Sequence, residues 1–135
     1  MLNLDTHMLV ALMTGDVSPA ELACAASQPL GISDIVLWEL AMLVQRGRIM
    51  MDLESPEFRA WLRHLTVFPI SFEIARQSTQ LDFSSDPADE IIAATSVVEN
   101  IPLLTRDRRI RKSRMVPLAL LRGISIGKTF RHPFT

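Results

Sequence analysis

Four acidic residues stand inside or directly beside apolar segments of the chain, where a charged side chain is costly. They are Asp5, Glu39, Asp89 and Asp107. Carboxylates gathered at close range repel one another and raise one another's pKa, so a cluster of four requires a cation. Oxygen ligands suit Mg²⁺ or Mn²⁺, which activate water and stabilise the charge that builds on a phosphodiester. The pattern therefore favours metal-assisted phosphodiester hydrolysis, provided that the fold brings the acids together.

Glu39 is the most informative of these acids. It is the only charged side chain in the apolar helical segment from Ile35 to Val44. A carboxylate there is costly to bury unless a cation or a hydrogen-bond donor compensates it. The alternative is that Glu39 reaches solvent along a narrow polar stripe of the helix.

The remaining acids have structural alternatives that the sequence leaves open. Asp5 could cap the next helix, and Asp89 could stabilise a helix start through backbone amides and the helix dipole. Asp86 is better explained as a helix cap than as a metal ligand, and Asp107 could pair with the arginines beside it. The acids therefore support a site only as a set.

No other side chains offer a competing catalyst. The three histidines are unclustered and lack metal-ligand or triad spacing: His7, His64 and His132. Cys24 lies in an alanine-rich helical segment, which is typical of a small core residue. The five glycines form no phosphate-binding loop.

Short apolar runs bounded by turn residues predict the strands that position the acids. The runs are residues 2–4, 29–32, 66–70 and 101–105, with 115–118 as a candidate fifth strand. The third contains a proline, which cannot donate to the sheet, so we expect it at a sheet edge. Helical segments fall between the runs, near residues 7–14, 18–27, 34–45, 56–65, 71–81 and 87–99.

Strands that alternate with helices predict an α/β fold. We expect a central parallel sheet of four to five strands with helices on both faces. Ligands of such sheets bind beyond the carboxyl ends of the strands. Several of the acids fall at that edge, which is how a parallel sheet can gather residues that are far apart in sequence.

Length and composition are those of a single cytoplasmic domain. The chain has 135 residues, of which 48% are hydrophobic and 21% are charged, enough to bury one core without disulfides. One cysteine gives no sign of an oxidising compartment. We expect no signal segment, since the apolar start reaches Asp5 at once, and no membrane span, since no apolar stretch is long enough.

Charge is distributed very unevenly. Residues 1–105 carry 5 Lys/Arg and 14 Asp/Glu, whereas residues 106–135 carry 9 Lys/Arg and a single acid. Such a basic block is typical of a surface that meets phosphate or an acidic partner. The alternative is a basic region that is only solvated.

Four segments resemble the motifs of PIN-domain ribonucleases, in particular the VapC-type toxins of toxin–antitoxin pairs. In chain order they are Leu4–His7, Ile32–Ala41 with its continuation Gly47–Ile49, Asp86–Thr95 and Leu103–Ile110. Each motif is short, but the order and spacing of all four match over residues 2–118. The resemblance covers residues 1–118 as a nuclease domain and leaves residues 119–135 as an unmatched C-terminal tail.

The resemblance implies a PIN-like three-layer sandwich and endonucleolytic cleavage of RNA in single-stranded regions. Asp5, Glu39, Asp89 and Asp107 would hold Mg²⁺ or Mn²⁺ and orient the attacking water. Thr6 and Thr105 resemble hydroxyls that support the ligands, and Asp86 a secondary acid at the edge of the site. The candidates for RNA backbone contacts are Arg106, Arg108, Arg109, Arg111 and Lys112. A homodimer and a cognate antitoxin, whose tail places a basic side chain in the acidic site, are also implied.

Two other functions compete with this interpretation. The first is a PIN fold that binds RNA or a protein without cutting, which intact acids argue against. The second is a haloacid-dehalogenase-like phosphatase, which requires a second aspartate where this chain has His7 and a lysine where none fits. The target RNA, the antitoxin and the number of metal ions cannot be read from the sequence.

Overall fold

Four short parallel strands form the centre of the protein. The computed structural model describes residues 1–120 and contains β1 (Leu2–Leu4), β2 (Leu30–Ser33), β3 (Leu65–Phe68) and β4 (Leu103–Leu104). Their order in the sheet is β3-β2-β1-β4, and every neighbouring pair is parallel. The predicted parallel α/β fold is therefore confirmed. β3 lies at a sheet edge as expected, and it ends at Phe68, directly before the proline of the predicted run.

Helices connect these strands and begin at the caps that the sequence marks. They are α1 (Thr6–Thr14), α2 (Pro19–Ala26), α3 (Asp34–Gln45), α4 (Pro56–Arg63), α5 (Phe72–Ser78), α6 (Pro87–Glu99) and α7 (Arg108–Arg111). The side chains of four serines accept a backbone N–H at helix starts, namely Ser18, Ser33, Ser55 and Ser71. Such caps satisfy amides that have no partner inside the helix.

Both faces of the sheet are covered at β1. Successive side chains of a strand point to opposite faces, yet Leu2, Asn3 and Leu4 are all fully buried. On one face, Asn3 Nδ2 donates to the carbonyl of Ile92 at 3.1 Å and to Ser96 Oγ at 2.9 Å, so α6 lies there. On the other face, each buried leucine contributes about 1.5–3 kcal/mol to folding. Helices on both faces were expected and are observed.

The predicted fifth strand is not formed. Within residues 1–120, the 115–118 segment meets the sheet only at Leu118, which forms a parallel bridge with Leu103. The Leu103 amide donates to the carbonyl of Pro117, and the Ala119 amide donates to the carbonyl of Leu103. Pro117 has no N–H to donate, so the ladder cannot extend into a regular strand.

Contacts with the domain continue to residue 120, just past the predicted boundary at residue 118. Ala119 still bonds to β4 through its amide, and the carbonyl of Leu120 accepts from Arg111 Nη2. The rest of the tail, residues 121–135, lies outside the described residues.

No single helix within the described part of the chain is long and apolar enough to cross a membrane. Only α1 and α2 taken together reach that length and composition, and they bend by 99° relative to each other.

Candidate metal centre

The ends of β1 and β4 bring Asp5 and Thr105 together. The two strands are paired in register, with Leu4 opposite Leu104, so the residues that follow them are adjacent. The hydroxyl of Thr105 donates to Asp5 Oδ2, and the amide of Met8 donates to Asp5 Oδ1 at 2.9 Å. Asp5 is therefore the cap of α1 and also faces the carboxyl edge of the sheet, so the two roles considered for it coexist.

Asp5 is a buried carboxyl group with only 7% of its surface exposed. Burial raises its pKa to about 6, against the hydrogen bonds from Thr105 and Met8, which lower it. The charge of Asp89 raises this pKa further, and His7 lowers it. The ionised form of Asp5 is thus costly in the absence of a cation.

Glu39 is bonded to the residue that follows Asp5. Thr6 donates from its Oγ1 to Oε1 of Glu39. Thr6 is buried and Glu39 is half-buried, so one oxygen of this carboxylate is held inside the domain. The other oxygen, Glu39 Oε2, has no hydrogen-bond partner among the described residues and is available to a ligand.

Asp89 enters the site from the first turn of α6. Its Oδ2 accepts from the hydroxyl of Ser85 at 3.0 Å. Burial raises the pKa of the Asp89 carboxyl, and the charges of Asp107 and Asp86 raise it further. Asp86 occupies the N-cap position of α6 but makes no capping hydrogen bond with its side chain. Asp86 is therefore the N-cap residue of α6, as expected, but its exposed carboxylate is not used for capping and raises the pKa of Asp89.

Asp107 caps the short helix α7. Its Oδ1 accepts from the amides of Arg109 at 2.9 Å and Ile110 at 3.1 Å. This replaces the pairing with neighbouring arginines that the sequence had left open. Oδ2 of Asp107 has no hydrogen-bond partner among residues 1–120, and the charge of this carboxylate acts on Asp89.

The donor set fits a hard divalent cation. Asp5, Glu39, Asp89 and Asp107 offer only carboxylate oxygens, the ligands that Mg²⁺ and Mn²⁺ prefer. Two of these oxygens are free, and two of the carboxyl groups have raised pKa values that a cation would reverse. As they stand, however, no three His, Cys, Asp or Glu side chains of the described residues converge closely enough to hold one ion. Metal binding therefore requires some of these side chains to move closer together.

The five basic candidates for RNA contacts divide into two groups. The guanidinium of Arg106 is bound to Glu21, and that of Arg111 donates to the carbonyls of Thr105 and Leu120. Both arginines therefore have partners within the domain, and these contacts connect the turn after β4 to the rest of it. Arg108, Arg109 and Lys112 are exposed on or just after α7, with Arg109 also donating to the carbonyl of Ser84.

Three residues near the site were not singled out from the sequence. Ser85 acts through a local contact four positions away in the chain, whereas Glu21 acts through a contact across the fold, 85 positions away. Only the capping pattern at Ser18 hints at Glu21. His7 lines a cleft of about 360 Å³, and its charge lowers the pKa of Asp5 and of Asp89. Other residues that line the cleft are Val10, Leu43, Arg48, Ile49 and Arg106.

Known proteins share this fold. The chain matches the family model of the PIN domain over residues 3–114, and it belongs to the PIN-domain family. A relative, Ribonuclease VapC22 of Mycobacterium tuberculosis, is 32% identical over 108 residues, which cover 71% of this chain and 81% of that protein.

Solved structures with the same fold come from toxin–antitoxin complexes. A chain of the VapBC2 complex of Rickettsia felis, bound to a promoter DNA fragment, matches with a TM-score of 0.69 at 20% identity, covering 88% of this chain and 98% of that one. A chain of DNA-bound VapBC from Salmonella typhimurium matches with a TM-score of 0.64 at 14% identity, covering 87% and 96%. At these identities the likeness establishes the fold.

Proposed function

We propose that this protein is a metal-dependent endoribonuclease of the VapC type, the toxin of a type II toxin–antitoxin pair, acting in the cytoplasm. The observation that carries the proposal is the buried carboxyl of Asp5, whose pKa is raised to about 6 by burial and by the charge of Asp89. Carboxylates held in this way without a cation are costly, and a divalent metal removes the cost. The ribonuclease relative that shares this family supports RNA as the substrate.

The reaction is in-line attack of water on an RNA phosphodiester, which leaves a 5′-phosphate on the product. Mg²⁺ or Mn²⁺, when bound, supplies Lewis-acid stabilisation of the phosphodiester and a lower pKa for the attacking water. Asp5, Glu39, Asp89 and Asp107 hold the ion. Thr105 and the Met8 amide fix the orientation of Asp5, and Thr6 fixes that of Glu39.

The RNA backbone meets the exposed basic residues of α7. Arg108, Arg109 and Lys112 lie next to Asp107 in sequence and are exposed. Cations in this position attract phosphates without reading bases. The asymmetric charge of the chain therefore serves to bring the polyanion to the acidic centre, which would otherwise repel it.

A cognate antitoxin blocks the same site. The matched VapBC chains come from complexes of this kind, and the cleft beside His7 offers a place for a peptide segment. Its wall contains apolar side chains, namely Val10, Leu43 and Ile49. A basic side chain of the antitoxin next to these would reach the acids. A short neighbouring gene that encodes a DNA-binding protein would support this assignment. Co-purification of that protein with this chain would support it further.

The protein acts as a homodimer through an apolar surface. Trp38, Ile70 and Phe72 are exposed by 56%, 41% and 74%. Trp38 lies one helical turn after Asp34, and Asp34 Oδ2 accepts from the amide of Ile70 at 3.3 Å, so these residues share one side of the molecule. Grouped apolar side chains of this size are typical of protein interfaces.

Cleavage of a structured RNA tests the enzymatic proposal. The full-length protein with Mn²⁺ should cut single-stranded loops, and EDTA should stop it. Asp5→Asn and Asp89→Asn should reduce cleavage to background, whereas Asp52→Asn, an exposed aspartate outside the site, should leave it unchanged. The products should be substrates for an exonuclease that requires a 5′-phosphate.

The competing function is a PIN fold that binds RNA or protein without cutting. One observation favours it, namely that no three potential ligands converge within the described residues. In that case the wild type with Mn²⁺ would retain RNA without shortening it, and both site variants would behave like wild type. Equal cleavage by all three proteins would also reject the assignment of the acids.

A further inference from the structure

Arg106 is the residue between Thr105 and Asp107, and its side chain contacts the segment that leads into α2. Its Nε donates to Glu21 Oε2 at 3.0 Å, and its Nη2 donates to Glu21 Oε1 at 2.8 Å. The same Nη2 donates to the carbonyl of Asp16 at 2.7 Å. This two-point arrangement fixes both the position and the rotation of the guanidinium plane.

Glu21 is also held in place by contacts that do not involve Arg106. Its amide donates to Ser18 Oγ at 3.1 Å, and the Ser18 amide donates to Glu21 Oε1 at 3.0 Å, which forms a capping box at the start of α2. Only 8% of Glu21 is exposed. Burial acts to raise the pKa of this carboxyl, but the hydrogen bonds from Arg106 and Ser18 outweigh burial and lower it. The carboxylate is thus an ionised, fixed anchor.

The segment held by this anchor carries two parts of the proposed metal centre. Thr105 donates to Asp5, and the amide of Asp107 donates to Thr105 Oγ1 at 3.0 Å. β4 itself contains only two residues, so the sheet alone gives little restraint to the turn that follows. Misplacement of a catalytic group by about 1 Å can cost about 100-fold in rate.

We propose that Glu21 and Arg106 are positioning residues, which hold the turn after β4 so that Thr105 and Asp107 stand in place for metal binding. This inference rests on the proposed nuclease function. In this role Arg106 acts through the turn that carries Thr105 and Asp107 and not through contact with RNA. Its guanidinium is bound to Glu21 although 46% of its side chain is exposed, whereas Arg108 and Lys112 are exposed without an ion-pair partner among residues 1–120.

Metal binding tests this inference without relying on activity. The concentration of Mn²⁺ that gives half of the full thermal stabilisation should rise about 10-fold in Glu21→Gln and Arg106→Gln, in line with the loss of outer contacts at metal sites. Arg106→Lys keeps the charge but loses the two-point arrangement, so it should fall between these variants and wild type. Controls are Glu99→Gln and Arg59→Lys, which change exposed residues outside the site.

Cleavage kinetics separate positioning from other roles. At saturating Mn²⁺ the kcat of Arg106→Gln should fall about 10-fold, with the KM for RNA unchanged. A raised KM in Arg106→Gln alone would make Arg106 an RNA contact and overturn the inference. Lower thermal stability with an unchanged Mn²⁺ midpoint would show a structural ion pair only, and would equally overturn it.

Two further comparisons keep the result interpretable. If Glu21→Gln fails to fold, the milder Arg106→Lys decides the question through its Mn²⁺ midpoint. Asp5→Asn and Asp89→Asn are measured in parallel. If they cleave as wild type does, the nuclease function itself fails; if they lose cleavage while the Glu21 and Arg106 variants keep a normal Mn²⁺ midpoint and kcat, only the positioning role fails.

Discussion

The hydroxyl of Thr105 donates a hydrogen bond to the carboxylate of Asp5 across 100 positions of the sequence. Each residue directly follows a strand, and the two strands are paired so that Leu4 lies opposite Leu104. The pairing that builds the sheet therefore also builds the first contact of the site. A shift of one residue in this register would separate the two groups and turn buried side chains to the wrong face.

The first prediction concerns the pH dependence of stability. Burial raises the pKa of Asp5 in the folded protein to about 6, from an ordinary value of 3.8 that applies to the unfolded chain. The folded state therefore binds the proton more tightly than the unfolded state does. Metal-free protein should therefore lose about 3 kcal/mol of unfolding free energy from this group as the pH rises from 3.8 to above 6. Asp5→Asn removes the penalty, so the variant should exceed wild type in stability at pH 7 and approach it at pH 4.

Urea unfolding in EDTA across this pH range measures the effect. Asp52→Asn, at an exposed position, should follow wild type at every pH. A difference between Asp5→Asn and wild type that stays constant with pH would contradict the burial cost. With Mn²⁺ present, wild type should gain stability at pH 7 and Asp5→Asn should not.

The second prediction distinguishes the effect of the Thr105 hydroxyl group from the effect of side-chain size. Thr105→Val removes the donor to Asp5 and leaves the amide of Asp107 without its acceptor. We expect a loss of about 1–3 kcal/mol in unfolding free energy. The pKa of Asp5 should also rise, because the Thr105 hydrogen bond lowers it. Thr105→Ser should retain both properties; identical behaviour of the valine and serine variants would argue against the hydrogen bond.

The third prediction concerns the contribution of α7 to RNA binding. In Arg108→Ala and Lys112→Ala the slope of log affinity against log salt concentration should decrease by about 0.7 per residue, as expected for lost phosphate contacts to a single strand. Binding is measured in EDTA, where no cleavage is expected. Arg59→Ala changes an exposed arginine of α4 and should leave the slope unaltered. If all three variants share the wild-type slope, the basic segment is only solvated.

The fourth prediction concerns the oligomeric state. Trp38→Glu and Phe72→Glu place a charge within the exposed apolar surface, and each should shift the protein from dimer to monomer. Light scattering coupled to size-exclusion chromatography gives the mass directly. Met50→Glu is a matched control, since Met50 is 96% exposed and apolar. Retention of the dimer by both surface variants would place the interface elsewhere.

The sequence predicts the fold well where local signals are strong. Serine and proline caps mark the starts of α2, α4 and α6, and apolar runs mark the strands, because each signal acts through neighbouring residues. It fails where a single residue outweighs the pattern. Pro117 reduces the expected fifth strand to one bridge. Asp107 starts a helix of only four residues, which is too short to show a helical period in the sequence.

The acids of the candidate site could be proposed from the sequence, and the resemblance adds Thr6 and Thr105 as supporting hydroxyls, but which acid each hydroxyl contacts could not be proposed. Charges inside apolar segments identify Glu39 as unusual without any structure. The contact from Thr6 to Glu39 and the ion pair of Glu21 with Arg106 depend on packing between elements that lie 33 and 85 residues apart. For the same reason the sequence gives the charge of Arg106 but not the residues that its guanidinium contacts.

The amide of Met8 can report on the state of the proposed metal site. This N–H donates to Asp5 at the first turn of α1. An ion that draws charge from the carboxylate should weaken that hydrogen bond. An ion that fixes the position of the carboxylate should instead slow the opening of the same hydrogen bond. Hydrogen exchange at one amide thus reports whether a cation loosens or tightens the beginning of the helix. Asp5 belongs both to the N-terminal cap of α1 and to the proposed metal site, so we expect a change at either one to affect the other.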